Sequence, residues 1–89
     1  MLNVIYTGQF KKDYKKCQKR GWDIDLLKSV VTILAAPATL PSQNRDHNLT
    51  GNYAGHRDCH LKPDWLLIYE SDGNNLYLER TGTHSDLFR

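Results

Sequence analysis

The sequence predicts an α+β fold of order β-α-α-β-β-β, with a helical hairpin packed on a small antiparallel sheet. Three observations carry this. Apolar residues recur at helical spacing through most of residues 8–36, in two blocks separated by Gly21. The run Trp65-Leu66-Leu67-Ile68-Tyr69-Glu70 is apolar on both parities, as a central strand covered on both faces would be. Turn signals divide the rest of the second half into short strand candidates. With 89 residues the chain reads as one domain, 1–89. A chain of this size buries roughly two-thirds of its unfolded surface, enough for one core.

In chain order, Asn3–Tyr6 is the first strand candidate. Thr7 is a helix N-cap, and a helix follows from Gly8 to Arg20, with Phe10, Tyr14 and Cys17 on one stripe opposite the lysines. Gly21 suits the position after a helix end. Asp23 caps a second helix whose stripe is Ile24, Leu27, Val31 and Leu34, widened by Leu26, Val30 and Ile33, and Pro37 stops it. Ala38 to Asn52 reads as a long polar loop. Tyr53 to Leu61 reads as a strand of mixed polarity, and Lys62-Pro63-Asp64 as a turn before the central strand. Residues 71–75 (SDGNN) form a hairpin loop, Leu76 to Arg80 the last strand, and Thr81 to Arg89 a polar tail.

Composition excludes some classes. No run of 18 apolar residues is present, so no membrane span is expected, and the N-terminus lacks the pattern of a signal peptide. A cytoplasmic protein with two free thiols, Cys17 and Cys59, is the expectation. Residues 11–20 (KKDYKKCQKR) hold six of the twelve Lys/Arg and one acid, whereas the other 79 residues hold six bases and nine acids. The whole positive excess therefore lies on the first helix. It fits either a polyanion-binding patch or a solvated helix face.

All four histidines, His47, His56, His60 and His84, lie in the second half, together with Arg57, Asp58, Asp64 and Arg80. A metal site on His56, His60 and Asp64 would need a helix, which Pro63 opposes. On a strand, residues 56 and 60 stand roughly 13 Å apart, too far for one ion. Cys17 sits on an apolar stripe and Cys59 has the opposite parity to His56 and His60, so neither reads as a nucleophile. What remains is a site of His, Asp and Arg needing no metal or other cofactor. RNA cleavage by its own 2′-hydroxyl requires only such groups: a base, an acid and a cation. Four unrelated surface histidines fit the same pattern.

Three blocks bear on that choice: Asp46-His47-Asn48-Leu49-Thr50-Gly51, Arg57-Asp58-Cys59-His60-Leu61-Lys62-Pro63-Asp64-Trp65-Leu66-Leu67-Ile68-Tyr69, and Glu79-Arg80-Thr81-Gly82-Thr83-His84-Ser85-Asp86-Leu87-Phe88. Together they closely resemble the YafQ toxins of the RelE/ParE superfamily, and the likeness extends through Tyr6-Thr7-Gly8 to Lys12-Asp13. The resemblance implies a RelE-like fold and the toxin of a type II toxin–antitoxin system. It implies a ribosome-dependent endoribonuclease that cuts translated mRNA. It also implies a cognate antitoxin, of ribbon-helix-helix type in a 2:2 heterotetramer, with operator DNA bound only through that complex. The rivals are a same-fold topoisomerase poison of ParE type and a degenerate toxin, and both sit poorly with the intact motif.

The matching functional residues are His47, His60, Asp64, Arg80, His84 and Phe88. His84 is expected as general acid or base, presented by a flexible Thr81-Gly82-Thr83 exit. His60 and Asp64 are its expected partners, one as proton carrier and one as orienter. Arg80 is the expected phosphate clamp, although its parity with Leu76 and Leu78 would turn it into the core. His47 is expected to close the site from the loop above, and Phe88 to stack on a base. Lys11, Lys12, Lys15 and Lys16 are expected to hold RNA phosphates. Trp65 also matches but reads as core, and His56 falls outside the motif as an exposed strand histidine.

Overall fold

The two helices begin where their capping residues place them. The computed structural model describes residues 1–36 and 38–88. After strand β1 (Asn3–Tyr6), the Thr7 side chain accepts from the Phe10 N–H and opens helix α1 (Gly8–Lys19). Asp23 accepts from the Leu26 N–H and opens α2 (Ile24–Ala35). Gly21 between them takes φ +76°, a left-handed value that suits glycine. Pro37, expected to stop α2, lies outside the described residues. No helix among the described residues is long and apolar enough to cross a membrane.

The later strands are β2 (His47–Asn48), β3 (Arg57–Lys62), β4 (Trp65–Ser71) and β5 (Asn75–Gly82). They form a five-stranded sheet of order β1-β5-β4-β3-β2. The late strands pair antiparallel, but β1 runs parallel to β5, with Asn3 opposite Asn75 and Tyr6 opposite Leu78. The sheet is thus mixed rather than antiparallel throughout. No hairpin joins β1 to β5; the helices and three strands intervene, which leaves the chain free to pair in parallel.

Three segments depart from the sequence reading. The loop from Ala38 to Asn52 carries a 3₁₀ turn at Ser42–Asn44 and the short strand β2. The strand expected from Tyr53 starts only at Arg57, because a second 3₁₀ turn (Gly51–Tyr53) and Gly55, at φ +91°, hold residues 51–55 in turns. The polar tail is a one-turn helix, α3 (His84–Leu87), opened by a capping box in which the Thr83 and Asp86 side chains each accept from the other's backbone N–H. The signature Thr-x-x-Asp stands in the sequence at residues 83–86.

Both faces of β4 are covered, as its two-parity apolar run requires. Trp65, Leu67 and Tyr69 join Phe10, Cys17 and Leu27 in the core beneath α1 and α2. Leu66 and Ile68 point the other way and pack with Leu87, Leu49 and Tyr53. That second, thinner layer is the floor of the candidate site.

Candidate active site

Strand register brings three histidines into a row. In the β2–β3 pair His47 stands opposite Asp58, and in β3–β4 His60 stands opposite Leu66. The His47 and His60 ring centroids are 6.2 Å apart, and those of His60 and His84 are 5.7 Å apart. His47 therefore lies at the sheet edge beside His60 rather than closing the site from above. Two residues of β-pleat put Asp58 and His60 on the same face, while Cys59 turns into the core and is fully buried.

Asp64, in the turn between β3 and β4, holds His84 twice. Its Oδ1 accepts from the His84 backbone N–H at 2.9 Å and from Nδ1 at 2.6 Å. The backbone bond, then the ring bond, pull the Asp64 carboxyl below the usual carboxylate range. With Nδ1 bonded to Asp64, Nε2 is the His84 nitrogen left open. Asp64 thus holds the His84 ring and backbone together. His47 is oriented by backbone instead: its Nδ1 lies 2.6 Å from the Arg45 carbonyl, which only accepts, so Nδ1 carries the proton and Nε2 faces Asp58 Oδ2 at 3.9 Å.

The Thr81-Gly82-Thr83 segment, expected as a flexible exit, is tied down by hydrogen bonds at Thr81 and Thr83. Thr81 is buried, donates to the Leu66 carbonyl at 2.7 Å and accepts from Trp65 Nε1 at 2.9 Å. Trp65 is accordingly a core residue. Gly82 sits against Asp86, where a Cβ would stand 2.8 Å from the carboxylate oxygen. Asp86 also binds Arg20 at 2.8 Å and Lys16 at 3.2 Å, tying α3 to α1. The Arg20 hydrogen bond, more than any other contact, holds the Asp86 carboxyl far below the usual range.

Arg80 reaches the site because β5 carries a bulge. Tyr69 pairs with Leu78 but Ile68 pairs with Arg80, so Glu79 is an extra residue and parity reverses after it. Arg80 therefore emerges on the face of Ile68, not in the core with Leu78. β1 ends opposite Leu78, which leaves the β5 edge unpaired beyond it, and α1 satisfies that edge. The Thr7 hydroxyl donates to the Glu79 carbonyl, and Asp13 accepts from the Thr81 N–H. The same Asp13 carboxylate takes the Arg80 guanidinium at Nε (2.8 Å) and Nη2 (3.2 Å). That bond is the main cause raising the Arg80 pKa further.

Phe88 is 43% exposed and lies 6.4 Å from His84 and 5.8 Å from Tyr53 between ring centroids, while its neighbour Leu87 is the buried plug. The four lysines span an arc of about 140° on α1, and its two edges have different neighbours. Lys16 reaches Asp86, whereas Lys11 and Lys15 border an apolar groove with Tyr14, Leu27 and Val31; Lys12 is exposed. His56 is half-buried ahead of β3, not exposed on a strand.

Two residues of this face were not among the expected site residues. Asp58 is 3% exposed, has one buried oxygen without a partner, and burial raises its carboxyl pKa. Its signal in the sequence was the i, i+2 spacing to His60. Tyr53, on the 3₁₀ turn, carried none.

Burial lowers the His60 pKa from the ordinary histidine value; His84, Arg45 and His47 push the same way and Asp58 opposes. His60 is neutral at pH 7 and able to accept a proton. The folded chain binds fewer protons at His60 than the unfolded chain between the lowered value and the ordinary ~6.5. Its contribution to stability is therefore full above ~6.5 and lost as pH falls through the lowered value. If His60 is the base, the acid limb of the cutting rate should have its midpoint below ~6.5. A midpoint at or above that value, in single-turnover rates from pH 5 to 8, would remove His60 from the role.

Comparison with known proteins adds three likenesses. A family model described as the bacterial toxin of type II toxin–antitoxin systems, YafQ, matches residues 2–89. The mRNA interferase toxin YafQ of Escherichia coli K12 is 45% identical over 87 residues, spanning 97% of this chain and 95% of that protein. Among solved structures, the toxin in the E. coli DinJ–YafQ toxin–antitoxin complex aligns with a TM-score of 0.91 at 44% identity, covering 99% of this chain and 98% of that one. A metal-bound toxin from Helicobacter pylori aligns with a TM-score of 0.93 at 43% identity, covering 99% and 100%.

Proposed function

The chain belongs to the YafQ family of type II toxin–antitoxin toxins, and from that premise we propose that it cuts mRNA on the translating ribosome by metal-independent acid–base catalysis. Membership makes it an mRNA interferase, an endoribonuclease. The observation that carries the mechanism is the row of His47, His60 and His84 at 5.7–6.2 Å spacing, with Asp64 bonded to one end and Arg80 on the same face of the sheet.

In this reading neutral His60 takes the 2′-OH proton. The 2′-oxygen attacks phosphorus, the P–O5′ bond breaks, and His84 Nε2–H protonates the leaving 5′-oxygen. The products are a 2′,3′-cyclic phosphate and a 5′-OH end. Arg80 stabilises the charge on the phosphorane through the guanidinium nitrogen that Asp13 leaves free. His47 is a third proton carrier or phosphate donor at the edge, and Phe88 is a stacking surface for a base. Two proton carriers and a cation fill every role a divalent ion would take.

Ribosome dependence is supported by openness. The His47 and His84 side chains are about half exposed, 51% and 54%. An open face does little to hold a flexible strand in line for attack, which fits positioning by the ribosome. The lysines of α1 serve as docking groups on ribosomal RNA. A cognate ribbon-helix-helix antitoxin, in a 2:2 complex that alone binds operator DNA, completes the reading. The solved E. coli relative in complex with DinJ supports the antitoxin.

The test is to strip the toxin with a chelator, add it to ribosomes translating a defined mRNA, and identify the cut ends. Cyclic phosphate and 5′-OH ends, formed at an unchanged rate and absent from free RNA, are expected. A 5′-phosphate product or loss of cutting after stripping would overturn the chemistry; equal cutting of free RNA would overturn the ribosome requirement.

A further inference from the structure

Behind the row of histidines, the same sheet face gathers a second titratable group that the reaction does not use. His56 ahead of β3, Glu70 near the end of β4 and Glu79 at the β5 bulge bring one ligand atom each within 4.8 Å of one another. His56 Nε2 stands 3.5 Å from Glu70 Oε2 and 3.6 Å from Glu79 Oε1. A charged imidazole N–H donating to a carboxylate closes to about 2.7–2.9 Å. Two donors on one tetrahedral zinc ion, each at about 2.1 Å, stand about 3.4 Å apart. The observed separations are longer than a hydrogen bond and close to the spacing of two donors on one ion.

Charge agrees with distance. Among the described residues, neither glutamate side chain pairs with a lysine or arginine, so two like charges face each other with only His56 between them. The carboxylates are partly open to water, at 47% and 29% exposure, which gives an ion a way in and leaves a fourth position for solvent. His56 Nδ1 is enclosed without a partner. Imidazolium and metal-bound imidazole both carry a proton there, so that atom does not separate the two states, and the spacing does.

We propose that His56, Glu70 and Glu79 form a zinc-type divalent cation site that staples β3, β4 and β5 at the bulge. One imidazole nitrogen and two carboxylate oxygens suit a borderline cation such as Zn²⁺. The ion touches no reacting group. It reinforces a bulge that Thr7 and Asp13 already hold from the β5 edge, so its effect falls on stability and not on the cutting rate.

The test titrates Zn²⁺ into the full chain carrying His60→Ala and His84→Ala, which leaves only His47 of the neighbouring histidine row and so breaks up that row as a competing binder. One equivalent should bind by calorimetry, with NMR shifts at residues 56, 70 and 79. Adding Glu70→Gln or Glu79→Gln should weaken binding by more than about 100-fold, beyond the roughly 10–100-fold lost with a ligand's hydrogen-bond partner alone. Glu70→Gln alters an exposed side chain and keeps the test valid if Glu79→Gln fails to fold. Absence of zinc binding in the two-histidine variant, or unchanged affinity in both glutamine variants, would overturn the site.

Discussion

Replacing His84 by Ala should lower the single-turnover cutting rate by about 10²–10⁴, the usual worth of one positioned proton carrier. The fold should survive. The imidazole is 54% exposed and packs into no core, whereas α3 is held by the Thr83–Asp86 capping box, the Asp86 contacts to Lys16 and Arg20, and buried Leu87. The backbone N–H that binds Asp64 is retained in the variant. Growth after induction and mapped mRNA 5′ ends, at matched expression, are the measurements. Full toxicity of His84→Ala would place the acid elsewhere in the row. Asp64→Asn should cost less, because it loosens the ring without removing it.

Arg80→Ala carries the second large effect, and it acts on rate and stability together. Loss of the charge at the phosphorane should cost about 10²–10³ in rate. Asp13, 6% exposed, would lose its cation while staying enclosed. Breaking a buried pair costs about 3–5 kcal/mol, and the low end applies here because Arg80 is partly exposed and Gln9 and the Thr81 N–H still donate to Asp13. Urea midpoints read this loss separately from rates measured well below the transition. Arg80→Lys should restore much of the stability but only part of the rate, since a point charge replaces the planar fork. Equal recovery of both by Lys would mean the guanidinium geometry is not used.

Much of the fold was legible because its signals are local. Thr7 and Asp23 cap the helices they were expected to cap, Gly21 takes the left-handed turn, and the two-parity run of β4 sits at the centre of the sheet. Cys17 and Cys59 are buried thiols, with Cys17 pushed up to about 11 by burial and Cys59 higher still. The candidate site residues were named from the sequence, and the structure shows which of them lie together. His47, His60, Asp64, Arg80, His84 and Phe88 do gather on one side of the sheet; the four lysines of α1 do not gather with them.

The sequence by itself determined the helices, the central strand, the two-sided core and the set of groups able to do chemistry, because caps, turns and side-chain periodicity act between residues a few positions apart. Tertiary structure alone decided which way Arg80 points, that Asp64 rather than His60 bonds to His84, and that His56 meets Glu70 and Glu79. Each depends on one extra residue in β5 or on a strand register. Period-two alternation cannot announce a bulge. The bulge persists because Thr7 and Asp13, more than sixty residues earlier in the chain, satisfy the backbone groups on the β5 edge that no neighbouring strand reaches.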